Sequence, residues 1–156
     1  MINLTRSLAI LVMLLGLVAI IIGGVFIGQG IAKNNLIVDR METEQVTLAI
    51  DPENPNVYTL ITDITTAQEA ADTIAEHRRA IAPTYQDLLA GGRYDPTNPA
   101  HLSYAQAMNL ENYLYLAVAA FGLVQVALAT GVVMVVIGLA LGGTGWVLLR
   151  ISRVHP

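Results

Sequence analysis

Two copies of Asp-Pro-x-Asn-Pro place hard oxygen donors at fixed spacing in this chain. They are Asp51, Glu53 and Asn54 in "DPENP", and Asp95 and Asn98 in "DPTNP". Carboxylate and amide oxygens are what calcium takes, roughly six to eight at a time. Neither copy has the spacing of an EF-hand loop, and two prolines in each fix the backbone instead of letting it wrap an ion. The spacing therefore predicts punctuation. "DPENP" is a turn between two extended pieces, with Val46, Leu48 and Ile50 alternating before it and Val57, Thr59 and Ile61 after it. "DPTNP" is a helix start, with Asn98 as N-cap and Pro99 as the first helical residue.

The remaining chemistry-bearing residues are few. Glu69, Asp72 and Glu76 make an acidic row at helical spacing with His77 behind it, which is a carboxylate–histidine ligand set or, more ordinarily, a solvated helix face. "EHRR" at 76–79 offers an anion site or a set of surface ion pairs with acidic neighbours. His101 and His155 stand alone. The absence of cysteine excludes thiol nucleophiles, disulfides and zinc-thiolate sites. No nucleophile elbow, phosphate loop or HExxH motif occurs. The expectation is no catalytic residue, no metal, no cofactor and no enzyme activity.

The elements that position these residues are dominated by lipid-like composition. The 156 residues are 54% hydrophobic and 13% charged, against about a quarter charged in a soluble domain. A net charge of −4 argues against a nucleic-acid partner. Residues 8–27, "LAILVMLLGLVAIIIGGVFI", hold no charge and no polar side chain, enough at about 1.5 Å rise each to cross a bilayer core. The run exceeds the h-region of a signal peptide, so an uncleaved transmembrane helix is expected. Residues 113–149 hold no charge either and are too long for one crossing. They are expected to form one helix, an apolar stem near 113–127 continuing into the second span. The first helix is expected to run on to about Gln45, its apolar side covering that stem.

Glycine spacing marks a packing seam. Gly16, Gly23 and Gly30 are seven apart, as are Gly131, Gly138 and Gly145; Gly24 with Gly28, and Gly138 with Gly142, are GxxxG pairs. A seven-residue repeat keeps one stripe toward a partner helix, and glycine on it allows close backbone approach. The stripe fits either the chain's other helix or a second protein. Neither span contains Asp, Glu, Lys, Arg or His, which argues against a pump or coupled transporter.

The basic residues Arg6, Arg150 and Arg153 flank the two spans, while five basic and twelve acidic residues lie between them. By the positive-inside rule both termini are cytoplasmic and residues 31–112 lie outside, with Trp146 at the inner interface and Tyr113 and Tyr115 toward the outer end. The expected layout is a first transmembrane helix in 1–30, an external segment at 31–112 with helices near 67–82 and 99–112, a stem and second span at 113–149, and a cytoplasmic tail at 150–156. In the 67–82 helix, Thr66 and Glu69 have capping-box spacing, and Ala67, Ala70, Ala71, Ile74, Ala75, Arg78 and Ile81 share a side. "TYQDLLAGG" then makes a short turn of helix, with Gly91 as its C-terminal cap.

"AADTIAEH" (70–77), "TYQDL" (84–88) and "YLYLAVAAFG" (113–122) resemble a family of small two-span bacterial membrane proteins. That family carries an external AD-x-I-x-x-H helix, a following TY-x-x-L and a second span containing AFG. The resemblance implies a bacterial plasma-membrane location and singles out Asp72, His77 and Tyr85 for ligand binding or interaction. It implies no catalytic residue. The ring-opening dioxygenase activity ascribed to some members needs two histidines and a carboxylate at ligand spacing, which this chain lacks. The "DPTNP" stretch departs from the family pattern. The expected fold is an all-α membrane protein, two long antiparallel transmembrane helices with a small extracytoplasmic helical head. The expected function is a non-catalytic accessory or scaffolding subunit of a larger membrane assembly, its partners the lipid bilayer and other membrane subunits or further copies of itself. The alternatives are an extracytoplasmic sensor or ligand-binding protein and a homo-oligomeric pore.

Overall fold

The computed structural model describes residues 2–49 and 58–154. Six elements follow in chain order: α1 (Ile2–Thr43), β1 (Thr47–Ala49), β2 (Tyr58–Leu60), α2 (Ile64–Ile81), α3 (Tyr85–Leu89) and α4 (Pro99–Val154). The chain is mostly helical, and α1 and α4 are long and apolar enough to cross a membrane. A two-stranded antiparallel ribbon, Thr47 opposite Leu60, departs from a purely helical class. The turn expected at "DPENP", together with Asp51, Glu53 and Asn54, lies outside the described residues, as does His155.

The contacts divide into two units, residues 1–33 with 124–156, and residues 34–123. In the first, the buried positions of α1 are Ala9, Gly16, Gly23 and Gly30, and those of α4 from 131 onward are Gly131, Gly138 and Gly145. All recur at seven residues and all are small. A methyl group at Gly16 would lie 2.6 Å from the Gly138 carbonyl oxygen and 2.7 Å from the Gly142 amide nitrogen. One at Gly23 would lie 2.6 Å from the Gly131 carbonyl, and one at Gly145 2.9 Å from that of Ala9. Gly30 faces the Leu128 side chain. Here the stripe joins two helices of the same chain. Around it Leu11, Leu14, Leu17, Ile21, Val25, Val133, Val136 and Leu139 are exposed, the outward face expected of helices whose solvent is lipid.

In the second unit, α2 lays an alanine face (Ala67, Ala70, Ala71) on Leu114, Ala117 and Phe121 of α4, with Ile61 beneath. Ile37, Val38 and Met41, near the end of α1, pack against the same cluster. Phe121 alone, 2% exposed, contributes about 1.5–3 kcal/mol by burial. Local caps close α2 and the end of α1. α2 begins at Ile64, three residues before the position predicted, because Asp63 and not Thr66 is the N-cap. The Thr66 amide donates to the Asp63 carboxylate at 2.8 Å, and the Asp63 amide donates to the Thr66 hydroxyl at 3.2 Å. A carboxylate near the positive helix end is the stronger acceptor, so the capping box forms there and not between Thr66 and Glu69. α1 ends in a Schellman motif: the Val46 amide donates to the Met41 carbonyl (2.9 Å) and that of Gln45 to Glu42 (3.1 Å). Gln45 sits at φ 51, in the left-handed region.

Gly16→Ala or Gly138→Ala is expected to lower thermal stability in detergent by about 1–3 kcal/mol through overpacking against backbone. Gly24→Ala is the control, because its methyl would meet nothing within 4 Å; thermal unfolding of the three variants measures the difference. Gln45→Gly is expected to stabilise by about 0.5–1 kcal/mol, since glycine takes the left-handed cap position without a Cβ penalty. The same melts read this gain.

Candidate functional site

The densest polar arrangement among the described residues is in residues 34–123, where three side chains meet between α2 and α4. Arg78 donates from Nε to Glu111 Oε2 at 2.6 Å, from Nη2 to Oε1 at 3.3 Å and from Nη1 to the Tyr104 hydroxyl at 2.6 Å. The Arg78 and Glu111 side chains are 13% and 12% exposed, and Tyr104 is 1% exposed. The bidentate fork and the hydroxyl engage all three guanidinium nitrogens. Glu111 holds the guanidinium firmly protonated. Tyr85, on α3, tilts against the Tyr104 ring at 6.2 Å.

For Arg78 this corrects the expectation that the basic pair of "EHRR" bonds to acidic neighbours at the surface, while Arg79 is exposed. Arg78 turns inward and reaches a carboxylate 33 residues away. Its position on the alanine side of α2 was visible in the sequence; its partners were not singled out. The available signal was Glu111 itself, a lone carboxylate seven residues after Tyr104 and three before Leu114, on the stripe that α4 buries.

Asp72, His77 and Tyr85 do not come together. Asp72 is exposed, accepting from the Tyr115 hydroxyl at 2.9 Å and from the Gln68 amide at 3.0 and 3.1 Å. These bonds, Gln68 first, hold its carboxyl below the usual carboxylate range. His77 is exposed, five residues further along α2 and so well around its surface. Tyr85 contacts Tyr104 instead. Among the described residues no group of three or more His, Asp or Glu is gathered to hold a metal. Among the glycines, Gly16, Gly23, Gly30, Gly131, Gly138 and Gly145 lie in the seam, whereas methyls at Gly24, Gly28 and Gly142 would meet nothing within 4 Å. Thr144 donates back to the Ala140 carbonyl of its own helix.

"DPTNP" works as a cap. The Ala100 amide donates to Asn98 Oδ1 at 2.9 Å, and the Thr97 amide and hydroxyl donate to Asp95 Oδ1 at 2.9 and 2.7 Å. Those bonds, that of the hydroxyl first, lower the Asp95 carboxyl titration. At the other end of the preceding loop, Ala90 (φ 46) forms the left-handed cap of α3, ahead of Gly91 (φ 80).

Helices long and apolar enough to cross a membrane, with a small helical unit between them, place the chain among candidate two-span membrane proteins. Comparison with protein-family models, curated proteins and solved structures finds no match.

Replacing Arg78 by Met is expected to cost about 3–5 kcal/mol, because it strands the Glu111 carboxylate in a mostly buried position. Arg78→Met with Glu111→Leu is expected to recover most of that loss, and Tyr104→Phe to cost about 1 kcal/mol. Chemical denaturation of the three variants beside the parent chain separates these outcomes.

Proposed function

We propose that this chain is a non-catalytic integral membrane protein, an accessory or scaffolding subunit of a larger assembly. In this reading its two spans cross the bilayer in opposite directions, with both termini cytoplasmic and residues 31–112 outside. The observation that carries the reading is how the glycines divide. One set is consumed by α1 and α4 packing on each other, while Gly24 and Gly28 leave a second close-approach surface on α1 among exposed apolar side chains. The opposite direction of the spans is supported by the seam partners: Gly16 meets Gly138, Gly23 meets Gly131 and Gly30 meets Leu128, so numbers rise on one helix as they fall on the other. Arg6 and Arg150 support cytoplasmic ends, and Trp146, 57% exposed with the Arg150 guanidinium 5.8 Å from its ring, suits an interfacial belt. Arg78, Glu111 and Tyr104 bond to one another, as do Asp72, Gln68 and Tyr115, which favours a scaffold over a ligand pocket.

Mass measurement after extraction in mild detergent is expected to give a complex heavier than the 16.7 kDa chain. A monomer at every concentration would remove the subunit reading. The sequence has no cysteine, so Thr62→Cys is expected to react with an impermeant thiol reagent added outside intact cells, and labelling only after lysis would reverse the topology.

A further inference from the structure

His101 joins three pieces of residues 34–123. Its Nδ1 accepts from the Asp95 backbone amide at 2.9 Å, and its Nε2 lies 3.1 Å from the Leu88 carbonyl oxygen. The ring therefore ties the end of α3 and the loop 90–98 to the first turn of α4, and the Tyr94 ring stacks beside it at 5.7 Å. A backbone amide can only donate and a carbonyl can only accept. Both bonds form together only when Nδ1 carries a lone pair and Nε2 carries the single proton. An imidazolium would set its Nδ1–H against the Asp95 N–H, donor against donor. We propose that His101 is a proton-sensitive clasp: neutral, it holds α3 and the loop 90–98 to the start of α4; protonated, it releases them.

The surrounding charges set the balance. Asp95 is the charged side chain on the loop that favours the imidazolium, and the stacked Tyr94 face favours it as well. The positive N-terminal end of α4, in whose first turn His101 lies, opposes it. On α3 the Asp87 carboxylate accepts from the Thr84 hydroxyl at the other end of its own helix, and on α4 the next titratable groups, Tyr104 and Glu111, are committed to Arg78 of α2. Arg93, on the same loop, is exposed. The Asp95 carboxyl titrates below the usual range, so it stays ionised while an imidazole changes charge. The loop's other bonds are local, Ala90 and Gly92 to α3 and Thr97 and Asn98 to Asp95, and Ala90 is held in the left-handed region, so loss of the clasp frees the loop from the first turn of α4.

The test uses the full chain in detergent micelles at about pH 8 and about pH 5, which bracket ordinary imidazole titration. Ring ¹⁵N shifts of His101 are expected to show an unprotonated Nδ1 at the higher pH. The protection factor of the Asp95 amide, corrected for intrinsic exchange, is expected to fall about threefold to tenfold at the lower pH. In His101→Asn, whose Oδ1 supplies an acceptor that does not titrate, the protection is expected to be the same at both. An Nδ1–H tautomer at pH 8, unchanged wild-type protection, or an equal fall in the asparagine variant would each overturn the clasp. The wild-type spectra decide the matter even where the variant fails to fold.

Discussion

Close approach of two helix backbones is the constraint from which the rest follows. Where Gly16 faces the Gly138 carbonyl and Gly23 that of Gly131, even one methyl group has no room. Such proximity multiplies dispersion contacts, which are individually weak but are the main cohesive force between helices wherever lipid, and not water, surrounds them. It also fixes sequence far more narrowly than an apolar core does. Leucine, isoleucine and valine are mixed on the outer faces of α1 and α4, whereas the buried stripe there holds glycine, with alanine at position 9. A seven-residue period is what keeps that stripe facing one neighbour, since a period of 3.5 residues per turn is maintained only if the helices wind slightly about each other.

The same economy of size governs residues 34–123. There the small buried residues are alanines, Ala117 on α4 and Ala67, Ala70, Ala71 and Ala75 on α2. The apolar side of α4 in this unit is covered by the alanines of α2, joined by Ile37, Val38 and Met41 from α1. The ribbon follows from the way α1 stops. The Schellman turn at Gln45 reverses the chain, and the Ile61 amide donates to the Val46 carbonyl at 3.3 Å, just beyond the paired strands. Two strands are marginal alone in water; here Val46 and Ile61 anchor them in the apolar cluster.

Much of this architecture was legible because its signals are periodic or local. Uncharged runs, seven-residue glycine spacing and the Asn98–Pro99 helix start each depend on neighbouring residues or a fixed repeat, and a single sequence displays both. The alternation around β1 and β2 was visible for the same reason. Two kinds of feature were not legible. Competition between adjacent caps was one: Asp63 and Thr66 both offer N-cap oxygens, and only their relative strength as acceptors decides. Pairing across long separations was the other. Arg78 has Glu76 two residues before it, and nothing in the chain states that it will pass that carboxylate over for Glu111. The glycine stripe had a related ambiguity, because the spacing gave the existence of a seam without its partner.

Arg78 answers a difficulty that alanine packing creates. An alanine face allows α2 to lie close to α4, but methyl groups are nearly alike, so sliding by a residue or rotating by a fraction of a turn changes the buried area little. A guanidinium fork has no such tolerance, since it accepts one approach direction from a carboxylate and leaves a stranded charge in any other. The Tyr104 hydroxyl adds a third point, and Tyr104 and Glu111, seven residues apart on α4, define a line along that helix. Three bonds from one side chain thus set both the translation and the rotation of α2. The ion pair adds little net stability against an apolar substitute of equal volume. Its contribution is to make one arrangement of interchangeable methyl groups far better than its neighbours.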